Sequence, residues 1–427
     1  MRALILTILF ASSLSAQTLD QLADKALPSV VATYKTLHAN PELSTKEEKS
    51  AALVASKLRE LGWEVTERVG KYVDPSLTSY GVVAMMRNGE GPVVLVRSDM
   101  DALPVPERTG VDYASKNQGV MHACGHDVHM ATLIGTAQML ASLKSQWRGT
   151  VMLVGQPAEE VVKGADAMLR DGLYERFARP DYALALHDWA TVEAGKIGWR
   201  SGYVLANSDS IDITVRGMGG HGAAPHTTRD PIVVAAQIVL ALQTLVSREN
   251  SPLDPVVITV GSIHGGAKRN IIPDEVKLAL TVRTYKTEVR ERVLASIERV
   301  AKGIALAAGI PENLAPLVEV IRSEAAQATY NDPALTERVV NVIRTKLGEA
   351  NVVEIDPGMA GEDFGRFGLD RKIPVSLLMV GAADPARIAA GQRLPSLHSS
   401  EFAPPPELTL RTGMRAMTVA VMELLRR

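Results

Sequence analysis

Three of the nine histidines and the only cysteine of this chain fall in one short run, His122-Ala123-Cys124-Gly125-His126-Asp127-Val128-His129. Thiolate and imidazole are the donors of zinc-like metal sites, and an isolated thiol beside a histidine is also the pattern of a nucleophile. His122 and His126 lack the Glu that would follow the first histidine of a helical zinc protease motif, so that motif is excluded. A Cys flanked by His and facing solvent suits either role, with metal binding the better fit to the number of donors. Further on, Pro157-Ala158-Glu159-Glu160 offers two adjacent carboxylates at a turn. Side chains there diverge, so Glu160 can hold a cation while Glu159 faces a substrate. Buried without a cation, the two would repel and at least one would protonate.

More groups of this kind recur. Ser98-Asp99-Met100-Asp101 follows the apolar run Val93–Val96, Glu159-Glu160 follows Val151–Val154, and His187-Asp188 follows Tyr182–Leu186. His398 follows Val375–Val380 and the loop Gln392 to Leu397. Ligands of open α/β sheets bind outside the carboxyl ends of the strands, so the shared placement is the signal. Two further loops are candidates. Gly217–His226 is glycine-rich but has no Gly-Lys-Ser/Thr, so it is no phosphate loop, and it presents His221. Asn270 lies in a second loop after Gly265-Gly266.

The elements that must position these groups follow from periodicity. Continuous apolar strands alternating with helices, such as one from Met130 to Leu143, predict a sheet covered on both faces. Residues 20–60 read as helical, with Ser44 and Glu47 as a capping box. Strict alternation over Ser210–Val215 marks a half-exposed strand. A helix over Pro231–Val246, strands over Val256–Val260 and Val276–Val282, a helix near Glu288–Ala308 and a strand over Leu317–Ile321 complete a β-α-β-β-α-β order. That order is the split βαβ, ferredoxin-like unit. The sequence therefore predicts an α/β fold: a mixed-sheet α/β/α catalytic domain (17–205 and 326–427) with an inserted ferredoxin-like α+β lid and dimerisation domain (206–325). Residues 1–16 read as a cleaved signal peptide, with a charged start, a short apolar run and small residues, so the mature chain is expected to be secreted or periplasmic. No other stretch approaches a membrane span in length. With 46 basic and 48 acidic residues, no overall positive field exists to grip nucleic acid. One cysteine excludes a disulfide framework within the chain.

Several motifs in order now carry a resemblance: Leu37–Leu43, Asp99-Met100-Asp101-Ala102-Leu103-Pro104, His122–His129, Glu159-Glu160, Gly220–Ala223, Asn270–Asp274 and Gly361-Glu362-Asp363-Phe364. Over nearly the whole mature chain, the sequence resembles the metal-dependent aminoacylase/carboxypeptidase family. The resemblance is to its N-acyl-amino-acid amidohydrolase branch, which includes hippurate hydrolases and plant indole-acetyl-amino-acid hydrolases. It implies two divalent cations held by Cys124, His126, Glu160, His187 and His398, with Glu159 as general base and Asp101 supporting the metal shell. It also implies that His221 polarises the scissile carbonyl, often from the partner subunit of a lid-mediated homodimer, and that Asn270 contacts substrate or oxyanion. Two departures stand out: Ser399-Ser400-Glu401 after His398, and Asp188 in place of an apolar residue after His187.

The expected reaction is hydrolysis of an N-acyl amino acid or short peptide with a free carboxylate, for which Arg283 is a candidate cation. Zinc fits thiolate and imidazole best, while manganese, cobalt and nickel suit the mixed donor set too. Two rivals remain: a Cys124 thiol hydrolase, and a non-catalytic periplasmic solute-binding protein using two domains as a clamp.

Overall fold

The computed structural model describes residues 18–426. The signal peptide expected at residues 1–16 lies outside the described residues. The chain opens with α1 (Leu19–His38) and α2 (Glu48–Glu60), then runs through β1 (Glu64–Val69), β2 (Gly81–Asn88) and β3 (Val93–Asp99). Helix α3 (His126–Ser142) leads to β4 (Gly149–Gln156), β5 (Tyr182–Glu193) and β6 (Ile197–Trp199). A second group follows: β7 (Asn207–Arg216), α4 (Pro231–Thr244), β8 (Val256–Gly265), β9 (Glu275–Thr284), α5 (Thr287–Ala307) and β10 (Leu317–Val320). The chain returns through α6 (Pro333–Leu347), β11 (Val352–Glu354), β12 (Val375–Ala383) and α7 (Pro406–Leu424).

The main sheet has the order β1-β2-β4-β3-β5-β12-β6-β11. Its centre is parallel: β3 pairs with β4 and β5, and β5 with β12. The β1–β2, β2–β4 and β12–β6 pairs are antiparallel, so the sheet is mixed. Both faces are covered, which explains the near-continuous apolar runs. Along β3, Val94 and Val96 pack against the long helices, whereas Leu95 joins Met168, Phe364 and Phe367 on the opposite face. The parallel centre brings the carboxyl ends of β3, β4, β5 and β12 to one edge, where the polar runs begin.

The second group forms a separate sheet, β8-β9-β7-β10, antiparallel throughout. This is the strand order of the split βαβ unit. Ile211, Ile213 and Val215 of β7 and Leu278, Leu280 and Val282 of β9 bury one face against α4 and α5, in a cluster of their own.

Three expectations need correction. Residues 39–47 are not helical; they separate α1 from α2, with Thr45 in the left-handed region at φ 67°. Ser44 and Glu47 form no capping box, because both side chains serve the polar edge of the sheet (below). The capping box is instead Thr18 with Gln21 at the start of α1. Last, the apolar segment Pro231–Glu249 is long and apolar enough to cross a membrane by length and composition, with a mean hydropathy of 1.6. One side of it is seated on its sheet through Val234, Ile238 and Leu242, while Val233 and Leu240 on the other are 53% and 72% exposed.

Candidate metal centre

Gly125 starts the site. It occupies the left-handed region at φ 76°, and a Cβ there would collide with the buried carboxylate of Asp188. Glycine thus lets α3 begin against the end of β5. The turn before it delivers Cys124, and the first residue of the helix is His126. The Cys124 Sγ lies 3.7 Å from His187 Nε2 and 3.3 Å from His398 Nε2. Cys124 is 7% exposed, so the expectation of a solvent-facing thiol is corrected: the neighbouring imidazoles and carboxylates enclose it. His126 Nε2 lies 3.8 Å from Glu160 Oε1 and 3.9 Å from Glu159 Oε2, and His398 Nε2 lies 3.7 Å from Glu160 Oε2. Donor atoms of Cys124, His126 and His187 lie within 4.8 Å of one another, as do those of Cys124, Glu160 and His398.

The turn carrying Glu159 and Glu160 is held from below. Asp101 accepts hydrogen bonds from the backbone N–H of Glu159 (3.1 Å) and of Glu160 (3.0 Å), and from the Ser44 hydroxyl (2.6 Å). Ala158, one residue earlier, sits at φ 53° and donates its N–H to the buried Glu47 carboxylate at 2.8 Å. A left-handed alanine persists only where its surroundings fix it. These bonds account for Ser44 and Glu47: two side chains read from sequence as a helix cap are recruited to the Glu159–Glu160 turn.

A buried network lies underneath. Arg97 donates to Asp99 (2.7 Å), Glu362 (2.7 Å), Asp363 (3.1 Å) and Gln156 (2.8 Å). His129 bridges Asp99 (2.5 Å) and Asp188 (3.1 Å). His187 Nδ1 lies 2.7 Å from the Asp188 carbonyl oxygen, which directs Nε2 toward Cys124. Sequence reasoning missed Arg97, Asp99, Glu362 and Asp363 as a unit, because residues so far apart in the chain meet only in the fold. Asp99, Glu362 and Asp363 stood in motifs noted from sequence, but nothing there linked them to Arg97, the basic residue that ends the apolar run of β3.

The electrostatics are those of a crowded acidic site. Burial pushes the Cys124 thiol well up, and the neighbouring Glu160 and Glu159 add to it. Burial also raises Glu160 to about 7, even with His126 opposing, and raises Glu159 strongly with help from Glu362 and Glu160. Burial opposes a charge on Asp99, but Arg97, His126 and His129 outweigh it and hold Asp99 well below the usual carboxylate range. His126 Nδ1 lies 3.3 Å from Asp101 Oδ1, whereas His126 Nε2, Glu160 Oε1 and Asp188 Oδ2 are buried with no hydrogen-bond partner. Orphaned buried donors and acceptors of this kind are costly unless something fills the space between them. A divalent cation fits: it would reverse the pressure on Cys124 and Glu160 and hold both deprotonated. Sulfur, imidazole and carboxylate together suit a borderline ion.

Not every residue singled out from sequence joins this cluster. His221 is exposed in a short ladder, paired with Ile271, and its Nδ1 accepts from the Ala223 N–H at 3.0 Å. The exposed Asn270 adjoins it, its carbonyl accepting from the Gly222 N–H at 2.9 Å. Among the described contacts, none joins either residue to the donors. Arg283, half-buried on the face of β9 turned away from α4 and α5, has its guanidinium 3.3 Å from the position a Cβ on Gly361 would take. It therefore approaches the loop that carries Glu362.

A covered α/β sheet with thiol, imidazole and carboxylate donors at its carboxyl edge defines a candidate metal centre in an α/β protein. Comparison with known proteins gives the family: residues 95–403 match the model of peptidase family M20/M25/M40, and the chain belongs to it. It is 38% identical over 333 residues to the hippurate hydrolase of Campylobacter jejuni, covering 78% of this chain and 82% of that protein. It is 37% identical over 340 residues to thermostable carboxypeptidase 2 of Saccharolobus solfataricus, covering 79% and 82%. Its fold matches a Bacillus subtilis protein described as a dinuclear metal-binding peptidase of the M20 family, with a TM-score of 0.74, 27% identity and coverage of 94% and 99%. The protein is thus an M20-family amidohydrolase or metallopeptidase, and the thiol-hydrolase and solute-binding readings fall with that assignment.

Proposed function

We propose that the protein is an exported amidohydrolase that cleaves the amide bond of N-acyl amino acids, or of short peptides with a free carboxylate. The observation that carries this reading is the convergence of Cys124, His126, Glu160, His187 and His398 beside a separately held carboxylate, Glu159. Those five side chains would hold two cations, zinc being the best match to the thiolate and imidazoles. Bound there, such ions would supply Lewis-acid polarisation of a carbonyl and a lowered pKa for water. Glu159 takes the proton of the attacking water and returns it to the leaving amine, and its burial suits a base with an elevated pKa. Asp101 keeps Glu159 and Glu160 diverging through the two backbone bonds described above.

Arg283 is the cation proposed for the substrate carboxylate. His221 and Asn270 stand on exposed loops outside the cluster, which supports delivery of His221 to the site of a second copy. The exposed Ile232, Val233 and Leu240 of α4 support the homodimer this requires. Export rests on the character of residues 1–16. The test is a panel of N-acyl amino acids and dipeptides, each also offered as its carboxyl amide, assayed with added zinc, manganese, cobalt and nickel. Turnover of free-carboxylate substrates alone is the expected result; equal turnover of the amides would refute carboxylate recognition.

A further inference from the structure

A second cavity, of about 320 Å³, opens where the two sheets' units join. None of the candidate metal donors lines it. Tyr203 and Tyr330, on the segments leading into and out of the inserted unit, form one wall, and Tyr285 and Glu288, flanking the start of α5, form another. The volume falls at the lower end of the range for small-molecule sites.

Its walls are chemically specific. Tyr203 and Tyr330 meet edge to face at 5.0 Å, and Tyr285 lies 5.7 Å from Tyr203. The Arg371 guanidinium stacks 3.8 Å from the Tyr330 ring centroid and donates to the Tyr203 hydroxyl at 3.0 Å. Leu369, Asp370 and Arg371 carry φ of 47°, 54° and 67°, three successive left-handed residues without a glycine. Backbone held in that region marks a position that other contacts over-determine. Arg290, also in the wall, is neutralised by a two-pronged pair with Asp209. Asp332, the third carboxylate of the lining, caps α6 by accepting from the Leu335 N–H at 2.8 Å. Among the described residues, Arg371, Glu288 and Asp370 form no ion pair, so a cation and two carboxylates without counter-charges face a single aromatic-walled space.

We propose that this cavity binds a free α-amino acid with an aromatic or apolar side chain. Arg371 takes its carboxylate through its remaining N–H groups, Glu288 takes its ammonium, and the tyrosine rings cover the side chain. Because the walls come from both units, the occupant ties one to the other. The assignment does not depend on the reaction proposed for the metal centre.

The test is calorimetric titration of the full chain with L-phenylalanine, and with 3-phenylpropanoate and phenethylamine, which each carry one of its two charges. Saturable binding of the amino acid is expected below about 1 mM, the range of a small-ligand site. It should weaken at least about 10-fold in Arg371→Leu and in Glu288→Gln, the loss of one charge-assisted bond each. Both positions are exposed, which keeps the fold intact, and a melting curve verifies that for each variant. The one-charge probes should bind at least about 10-fold more weakly than the amino acid. Binding unchanged in both variants would put the amino acid elsewhere, at the metal centre for example, and overturn the proposal. So would equal binding of either one-charge probe, or no saturable binding at all.

Discussion

Replacing Asp101 by alanine tests how the two adjacent carboxylates are held apart. Its carboxylate accepts three hydrogen bonds, from Ser44 Oγ, Glu159 N and Glu160 N. Ser44 is only half-buried and can turn to water, whereas the Glu159 N–H is left without a partner inside the protein. An unpaired buried donor costs about 1–3 kcal/mol, and the Glu160 N–H adds to that. Removing the charge also takes away the carboxylate 3.3 Å from His126 Nδ1, while relieving the pressure Asp101 exerts on Glu47 and Glu160, which returns part of the loss. The net expectation is a loss of about 2–4 kcal/mol. Released from Asp101, the strained turn at Ala158 relaxes and Glu159 moves; a displacement near 1 Å costs about 10²-fold in rate. Asp101→Asn keeps the shape and one acceptor, so its stability should fall between those of wild type and Asp101→Ala. The assays are urea unfolding and initial rates of amine release from N-benzoylglycine. Wild-type stability together with wild-type kcat in Asp101→Ala would refute the argument.

Glu159→Gln should retain both metal ions while kcat falls by about 10²–10⁴-fold, whereas Glu160→Gln should lose metal; metal analysis with the two variants reversed would overturn their roles. His38 is buried between Asp127 (2.6 Å) and Glu107 (3.2 Å). Burial works against its charge, but the two carboxylates win and raise its pKa from 6.5 to about 9. The stability this contributes, about 3 kcal/mol, is fully present below pH 6.5 and is lost as pH rises through about 9. Unfolding free energies of wild type and His38→Gln should therefore converge as pH rises from 6.5 through about 9, and a constant gap would contradict the reading. Mixing inactive His221→Ala chains with inactive Glu159→Gln chains should restore activity once subunit exchange is shown by mass, because a mixed dimer assembles one intact site; no recovery would mean that His221 does not act across subunits.

The legible and illegible parts of the sequence separate on physical grounds. Strands buried on both faces, such as β3, β4 and β12, announce themselves as apolar runs, and the alternation of β7 marks a sheet with one buried face. The edge strand β1 (Glu64–Val69) is mostly polar and exposed, so it carries no such signal. Cys124 and His126 drew notice because thiol and imidazole are rare and the two lie side by side in the chain, whereas Glu160, His187 and His398 joined them only through strand ends and resemblance. The supports were not: Arg97 reaches Glu362 across the whole fold, and Ser44 and Glu47 matched a local motif whose geometry the tertiary contacts override. Asp188 was noticed as part of a strand-end pair and as a departure, but not for the contacts its carboxylate makes with Gly125 and His129.

Cys124, His126, Glu160, His187 and His398 are proposed to hold two cations required for amide hydrolysis. Metal content per chain, measured together with N-acyl amino acid hydrolysis before and after exhaustive chelation, tests it most directly. The expected result is two equivalents of a divalent metal, activity that vanishes with them, and recovery when zinc or manganese is returned. Full hydrolytic activity in the metal-free protein would contradict it.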